Sequence, residues 1–91
     1  MERLIQLVSD MTGVSIEDIK SRKRTGDVCE ARQIFIYLSI NTYRYPSSLL
    51  ASYLGKRTKQ AILLQFRCLN RQMEVYKGLS SRVKEIESMV I

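Results

Sequence analysis

The sequence predicts an all-α fold, a compact bundle of about six helices containing a helix-turn-helix, and three observations carry that prediction. Apolar residues recur at spacings of three and four through most of the chain, the period of an amphipathic helix. Gly13, Pro46, Gly55 and Gly78 interrupt these stripes where helices are expected to stop. Ala51 lies four positions before Gly55 with large apolar residues on both sides, the packing pattern of two helices crossing at a tight turn.

Leu4, Leu7, Val8 and Met11 give a first helix one apolar face, and Gly13 stops it. Ser15 followed by Asp18 has the form of an N-terminal cap, and Ile16 and Ile19 supply the buried edge of a short second helix. Lys20 to Thr25 then reads as a basic loop. Asp27 is expected to cap a third helix in which Val28, Ala31, Phe35 and Leu38 share a stripe flanked by Ile34, Ile36 and Ile40. So broad an apolar surface marks the central, most buried helix. Tyr43 to Pro46 ends it, because Pro46 cannot continue a helix and biases Tyr45 toward an extended conformation. Ser47 or Ser48 is expected to cap the fourth helix, with Leu50, Ala51 and Leu54 facing inward and Gly55 supplying a positive φ at its end. After a tight turn at Lys56 and Arg57, a long fifth helix places Ile62, Phe66, Leu69, Met73 and Tyr76 on a core face and Gln60, Arg67 and Arg71 on another. Gly78 is expected to end it, and Val83, Ile86 and Val90 define a last helix.

Size and composition narrow the function. The 91 residues read as a single domain, 1–91, burying about 60% of the unfolded surface and leaving no room for a second, catalytic domain. Fifteen basic against nine acidic residues give a net charge of +6, which favours an anionic partner. Cys29 and Cys68 stand apart from each other and the chain has no histidine, so zinc-ligand spacing is absent and both read as reduced, partly buried side chains. No cofactor is expected. With no catalytic base beside a cysteine and no carboxylate in the basic half, no nucleophile or acid–base set can be assembled, so the chain reads as neither an enzyme nor the binder of a small-molecule substrate. No apolar run approaches a membrane span and no signal peptide is recognisable, so the expectation is a cytoplasmic protein without a membrane partner.

The charge is unevenly placed. Between Glu30 and Glu74 there is no acidic residue, while Arg32, Arg44, Lys56, Arg57, Lys59, Arg67 and Arg71 fall in that stretch; Lys20, Arg22, Lys23 and Arg24 form a second cluster upstream. Each phosphate neutralised by such a side chain releases condensed counterions, so this pattern suits nucleic acid. If the fifth helix is a recognition helix, its N-terminal end enters the major groove, where Lys59 can donate to guanine O6 or N7 and Gln60 can make two bonds to adenine. The same residues have plainer readings. Arg22, Lys23 and Arg24 can be a solvated loop, Arg32 and Gln33 can pair with Asp27 or Glu30 on their own helix, and Arg67 and Arg71 can simply keep an outer face soluble. Tyr37, Tyr43, Tyr45 and Tyr53 fit buried rings with wet hydroxyls better than stacking platforms for single strands.

Several segments resemble the C-terminal DNA-binding domain of the bacterial replication initiator DnaA. Val14-Ser-Ile-Glu-Asp-Ile19 is similar to that family's opening helix, Ser21-Arg-Lys-Arg-Thr25 to its basic loop, and Ala31-Arg-Gln-Ile34 to the start of its central helix. Leu54-Gly-Lys-Arg57 and Phe66-Arg67 look like its helix-turn-helix core. The resemblance implies a Trp-repressor-like helix-turn-helix, in which the arginine matching Arg24 enters the minor groove and the residues matching Arg32 and Gln33 grip the DNA backbone. The arginine matching Arg57 lies beside the family's base-reading Asp-His-Thr-Thr, and here those four are replaced by Thr58, Lys59, Gln60 and Ala61.

The expectation is therefore a domain that binds double-stranded DNA, with a sequence preference other than the initiator's box. The DNA-binding set is Arg22, Lys23, Arg24, Arg32, Gln33, Ser48, Lys56, Arg57, Thr58, Lys59, Gln60 and Arg67. The initiator's ATPase domain and a phosphate-binding glycine loop are not among the 91 residues, so the role expected is that of a small regulator of transcription or replication, bacterial or borne by a phage or mobile element. The alternative is a protein-interaction module on the same fold, docking on an acidic protein of the replication or transcription machinery. Val83, Ile86, Met89 and Val90 can pack on the first helix or pair with a second copy, and the monomer is favoured.

Overall fold

The computed structural model describes residues 1–55 and 57–90, the side chain of Val90 excepted, so what was expected of Lys56 and of the Val90 side chain lies outside the described residues. Helices follow one another as α1 (Glu2–Thr12), α2 (Ile16–Lys20), α3 (Gly26–Asn41), α4 (Ser47–Tyr53), α5 (Lys59–Val75) and α6 (Lys77–Val90). None of them is long and apolar enough to cross a membrane, among the described residues.

Local chemistry sets several boundaries as the sequence suggests. Gly13, at φ 75°, closes α1 in the left-handed region and its N–H donates to the Ser9 carbonyl at 2.9 Å. The Ser15 hydroxyl accepts from the Asp18 N–H at 3.2 Å and so caps α2. Gly55, at φ 87°, turns the chain out of α4, and a Cβ there would stand 3.4 Å from the Lys20 carbonyl, so this turn is also pressed against the end of α2.

α3 is the centre of the molecule. Ile34, Phe35 and Ile36 are each 0% exposed, and three consecutive helical residues cannot share one face, so α3 must be covered on several sides. α1, α2, α4 and α5 provide that cover. Each such side chain contributes about 1.5–3 kcal/mol of burial. Ser39, the buried hydroxyl of this helix, donates to the Phe35 carbonyl at 2.7 Å and is thereby satisfied. Ile62 and Leu69 bring α5 onto the core, with Phe66 and Met73 half-buried beside them and the Phe66 ring stacked on Tyr37 at 5.3 Å.

Other boundaries differ from the sequence reading. α3 starts at Gly26 with Thr25 as its N-cap, in extended conformation and without a side-chain cap bond, and Asp27 lies inside the first turn, where its carboxylate accepts from the Val28 N–H at 2.9 Å. Neither Ser47 nor Ser48 caps α4: Pro46, at ψ 145°, is the N-cap and its carbonyl accepts from Leu49 and Leu50. Gly78 does not end α5. The helix stops at Val75, Tyr76 turns the chain in an extended conformation, and Gly78 lies within α6. Tyr76 is consequently 64% exposed rather than part of the core stripe, because the chain leaves the α5 axis after Val75 and the core is closed from there by Leu79, Val83 and Ile86 of α6. Val83 and Ile86 are buried within the chain, whereas Met89 is 54% exposed. The Glu87 carboxylate ties α6 to the end of α3 by accepting from the Thr42 hydroxyl at 3.0 Å, and Arg82 pairs with Glu30 at 3.0 Å.

Candidate nucleic-acid interface

The loop between α2 and α3 is short and polar, and two arginines from elsewhere fix it. Arg32, on α3, is 4% exposed and donates from Nε to the Ile19 carbonyl at 2.8 Å. Its Nη2 donates to the carbonyls of Asp18 at 3.0 Å, Ser21 at 2.8 Å and Lys23 at 3.1 Å. A guanidinium suits this work because its planar fork offers several donors at fixed angles, and charge-assisted bonds repay the cost of burying it. Arg57, in the turn of the helix-turn-helix, donates from Nη2 to the same Ser21 carbonyl and from Nε to the Leu54 carbonyl at 3.1 Å. Ser21 is the hinge pin of the arrangement, since its hydroxyl also donates to the Asp18 carbonyl at 2.7 Å and accepts from the Lys23 N–H at 3.1 Å.

This clamp joins the two basic clusters that the sequence places far apart. With the carbonyls of the loop turned inward to Arg32 and Arg57, the side chains of Arg22, Lys23 and Arg24 remain outside and exposed. Lys23 reaches Asp18 at 3.7 Å, an exposed ion pair worth little and readily exchanged for a phosphate. Burial, and then the positive charges of Arg32, Arg22 and Arg24, hold the Arg57 guanidinium below its ordinary pKa, while it stays ionised at neutral pH. Burial of the guanidinium is the larger cause of that shift, and the neighbouring arginines add to it in the same direction. Lys20, the remaining member of the upstream cluster, lies instead over the Tyr53 ring at 4.3 Å and braces α2 against α4.

α4 and α5 form the helix-turn-helix. The Arg57 N–H donates to the Ala51 carbonyl at 3.0 Å and closes the turn, which needs the small side chain at Ala51, 7% exposed, for the helices to approach. The Thr58 hydroxyl caps α5 by accepting from the Ala61 N–H at 3.1 Å. No acid occupies the first turn of α5, so the positive end of the helix dipole is undiluted there, and Lys59 and Gln60 are exposed beside it. Arg67 is exposed further along α5, and Ser48 is exposed in the first turn of α4.

The expected contact residues thus divide. Arg22, Lys23, Arg24, Lys59, Gln60, Arg67 and Ser48 are open to solvent. Thr58 is exposed but its hydroxyl is engaged as a cap, and Arg57 is half-buried with two of its nitrogens engaged. Arg32 pairs with neither Asp27 nor Glu30 and presents no open side chain to a ligand: its Nε and Nη2 are committed to the loop carbonyls. Gln33 is half-buried and donates to the Gln65 side-chain carbonyl at 2.8 Å, tying α3 to α5. Ser21 and Gln65 escaped the sequence reading, since a serine that works through its carbonyl and a glutamine that works by pairing leave no composition signal. Cys29 and Cys68 are free and half-buried.

The family described as the bacterial dnaA protein helix-turn-helix matches residues 1–67. The chain is 31% identical over 93 residues to the chromosomal replication initiator protein DnaA of Campylobacter concisus, covering 100% of this chain and 21% of that protein. It is 30% identical over 90 residues to the DnaA of Porphyromonas gingivalis, covering 99% of this chain and 19% of the relative. With the DnaA of Bacteroides thetaiotaomicron the identity is 35% over 71 residues, 78% of this chain and 15% of the relative. The chain therefore spans about a fifth of the length of the first two relatives.

Proposed function

Since the chain belongs to the family of the bacterial DnaA helix-turn-helix, we propose that it binds double-stranded DNA by placing the N-terminal end of α5 in the major groove and the Arg22–Arg24 loop along the neighbouring backbone and minor groove. The observation that carries this reading is the junction at the Ser21 carbonyl, where Arg32 and Arg57 hold the loop against the turn of the helix-turn-helix and make one basic surface of two clusters. In the complex, Arg22, Lys23 and Arg67 neutralise phosphates, Arg24 enters the minor groove, and the free N–H groups at the start of α5 add a directed phosphate contact. Lys59 and Gln60 face base edges, where their donors favour guanine and adenine respectively. Arg32 and Gln33 act from beneath, by fixing the loop and α5 in register.

Thr58, Lys59, Gln60 and Ala61 stand where the resembled initiators carry Asp-His-Thr-Thr, so the sequence preference differs from the initiator's own box. The chain acts as a small regulator of transcription or replication with the phosphate grip of its family and its own base readers. Retention of duplexes from a random pool at near-physiological salt, followed by sequencing, tests this. An enriched motif distinct from the initiator's box is the expected result. Retention displaced equally well by an acidic protein and by duplex DNA, with no enriched motif, would sink the reading in favour of a protein partner.

A further inference from the structure

We propose that Leu64 is a specificity-determining residue that reads the 5-methyl group of a thymine in the major groove. The inference rests on the duplex-binding reading above and adds to it an apolar base contact that neither charge nor hydrogen-bonding capacity points to.

Ala61, Ile62, Leu63 and Leu64 form an unbroken apolar run, yet only Ile62 is wholly buried, and Leu64 is 59% exposed. Its position explains the exposure. At about 100° per residue, the core side of α5 is defined by Ile62, Phe66, Leu69 and Met73, and the opposite line runs through Gln60, Leu64, Arg67 and Arg71. A helix lying in the major groove presents that outward line, together with the residues of its N-terminal turn, to the base edges. The line is therefore polar, apolar, basic, basic, with the leucine one turn beyond Gln60 and one turn before Arg67. Tyr43, Leu49, Val75, Tyr76 and Met89 are the other large apolar side chains exposed among the described residues, and none of them falls between two candidate DNA contacts on this line.

Water is a poor neighbour for this side chain, and the groove floor offers one apolar group to replace it. Guanine, adenine and cytosine present donors and acceptors there, whereas thymine adds its C5 methyl. Leucine against a polar edge would strip water from groups it cannot satisfy; against the methyl it removes apolar surface from water on both sides. The rise of about 1.5 Å per residue sets Leu64 roughly 6 Å along the helix from Gln60, about two base-pair steps further along the groove. The thymine is thus expected a fixed, short distance from the base read by Gln60.

The test uses duplexes retained from the random pool, resynthesised with deoxyuridine in place of each thymidine in turn, since uracil pairs identically and lacks only the methyl. One replacement is expected to weaken binding of the unaltered chain by about fourfold, the effect of withdrawing one buried methyl. Leu64→Ala, which removes an exposed side chain and so leaves the melting temperature unchanged, is expected to bind the thymine and uracil forms equally. Indifference of the unaltered chain to every replacement, or an enriched motif with no thymine at a fixed position, overturns the assignment while leaving DNA binding intact. A thymine preference that persists in Leu64→Ala overturns it too, because the methyl then acts through another residue or through the duplex itself. Failure to retain any duplex overturns the DNA-binding reading and this role together.

Discussion

Arg24 and Arg32 carry the same side chain and lie near each other in the sequence, yet one is open to solvent and the other is 4% exposed with two nitrogens bonded to four carbonyls. The comparison extends to the regions they belong to. The rim, made of Arg22, Lys23 and Arg24, consists of three successive like charges open to solvent, with Asp18 against Lys23 as an exposed anionic contact. The floor beneath it, made of Arg32, Arg57 and the carbonyls of Asp18, Ile19, Ser21 and Lys23, is satisfied within the protein. Like-charge repulsion would spread the rim if the backbone were free, so the floor fixes the charge density that the rim presents. On the proposed reading, stability and affinity are therefore separable, the first residing in the floor and the second in the rim.

The strongest way to break that division is Arg32→Ala. Four carbonyls lose the guanidinium at once, although Arg57 still reaches that of Ser21 and the Ser21 hydroxyl that of Asp18, and a buried side chain leaves a void, for a destabilisation of about 2–4 kcal/mol. In a domain of this size that lowers Tm by roughly 10–25 °C. Arg32→Lys is expected to recover only part of the loss, because one ammonium cannot serve acceptors arranged for a planar fork. Thermal unfolding followed by circular dichroism measures both. An Arg32→Ala variant that melts with the unaltered protein but binds DNA more weakly would move Arg32 from the floor to the rim.

Arg24→Ala should do the reverse. Its side chain is exposed, so stability is expected to stay within about 0.5 kcal/mol, while duplex affinity falls. If the lost contact is to phosphate, the slope of log affinity against log salt becomes shallower by about 0.9. Lys59→Ala, if Lys59 reads a base edge, should lower affinity with the slope preserved and relax preference at one position. Titrations at several salt concentrations separate the two cases. Unchanged affinity in both variants would remove the rim and the α5 end from the interface.

The helices and most of the core were legible because burial leaves a periodic trace: Leu4, Val8, Ile19, Leu50, Ile62 and Leu69 all repeat at helical spacing and all are buried. The end of α5 was not, because a stripe that continues to Tyr76 looks the same whether or not the chain turns first; the decision belongs to α6, which covers the core in its place. The resemblance implied that Arg32 and Gln33 grip the DNA backbone, but not that Arg32 would bond the loop carbonyls and Gln33 the Gln65 side chain. An arginine in a sequence carries its charge but not its depth, and the carbonyls that surround Arg32 are backbone groups that any residues would supply. Exposure likewise singled out Leu64, which in the sequence is one more apolar residue of the run that begins at Ala61.

The smallest expected effect concerns the junction between rim and α3. The Thr25 hydroxyl bonded to Asp27, then the Val28 N–H, hold the Asp27 carboxyl below its usual pKa, with the nearby Lys23 adding in the same direction. A carboxyl whose pKa is lower folded than unfolded stabilises the fold above its unfolded value, near 3.9, and loses that contribution as pH falls through the folded value. Because the group is fully open to solvent, the diagnostic is the pH dependence rather than its size. Asp27→Asn should melt below the unaltered protein at pH 7, and the gap should close in acid as Asp27 itself becomes neutral. Binding gives the comparison its sharper edge. Asp27 sets a negative charge beside Lys23, so its removal should raise non-specific duplex affinity slightly while lowering stability, the opposite pairing to Arg24→Ala. A gap in Tm that persists unchanged into acid would mean that the asparagine disturbs the first turn of α3 by shape, and that the charge at this position belongs to neither region.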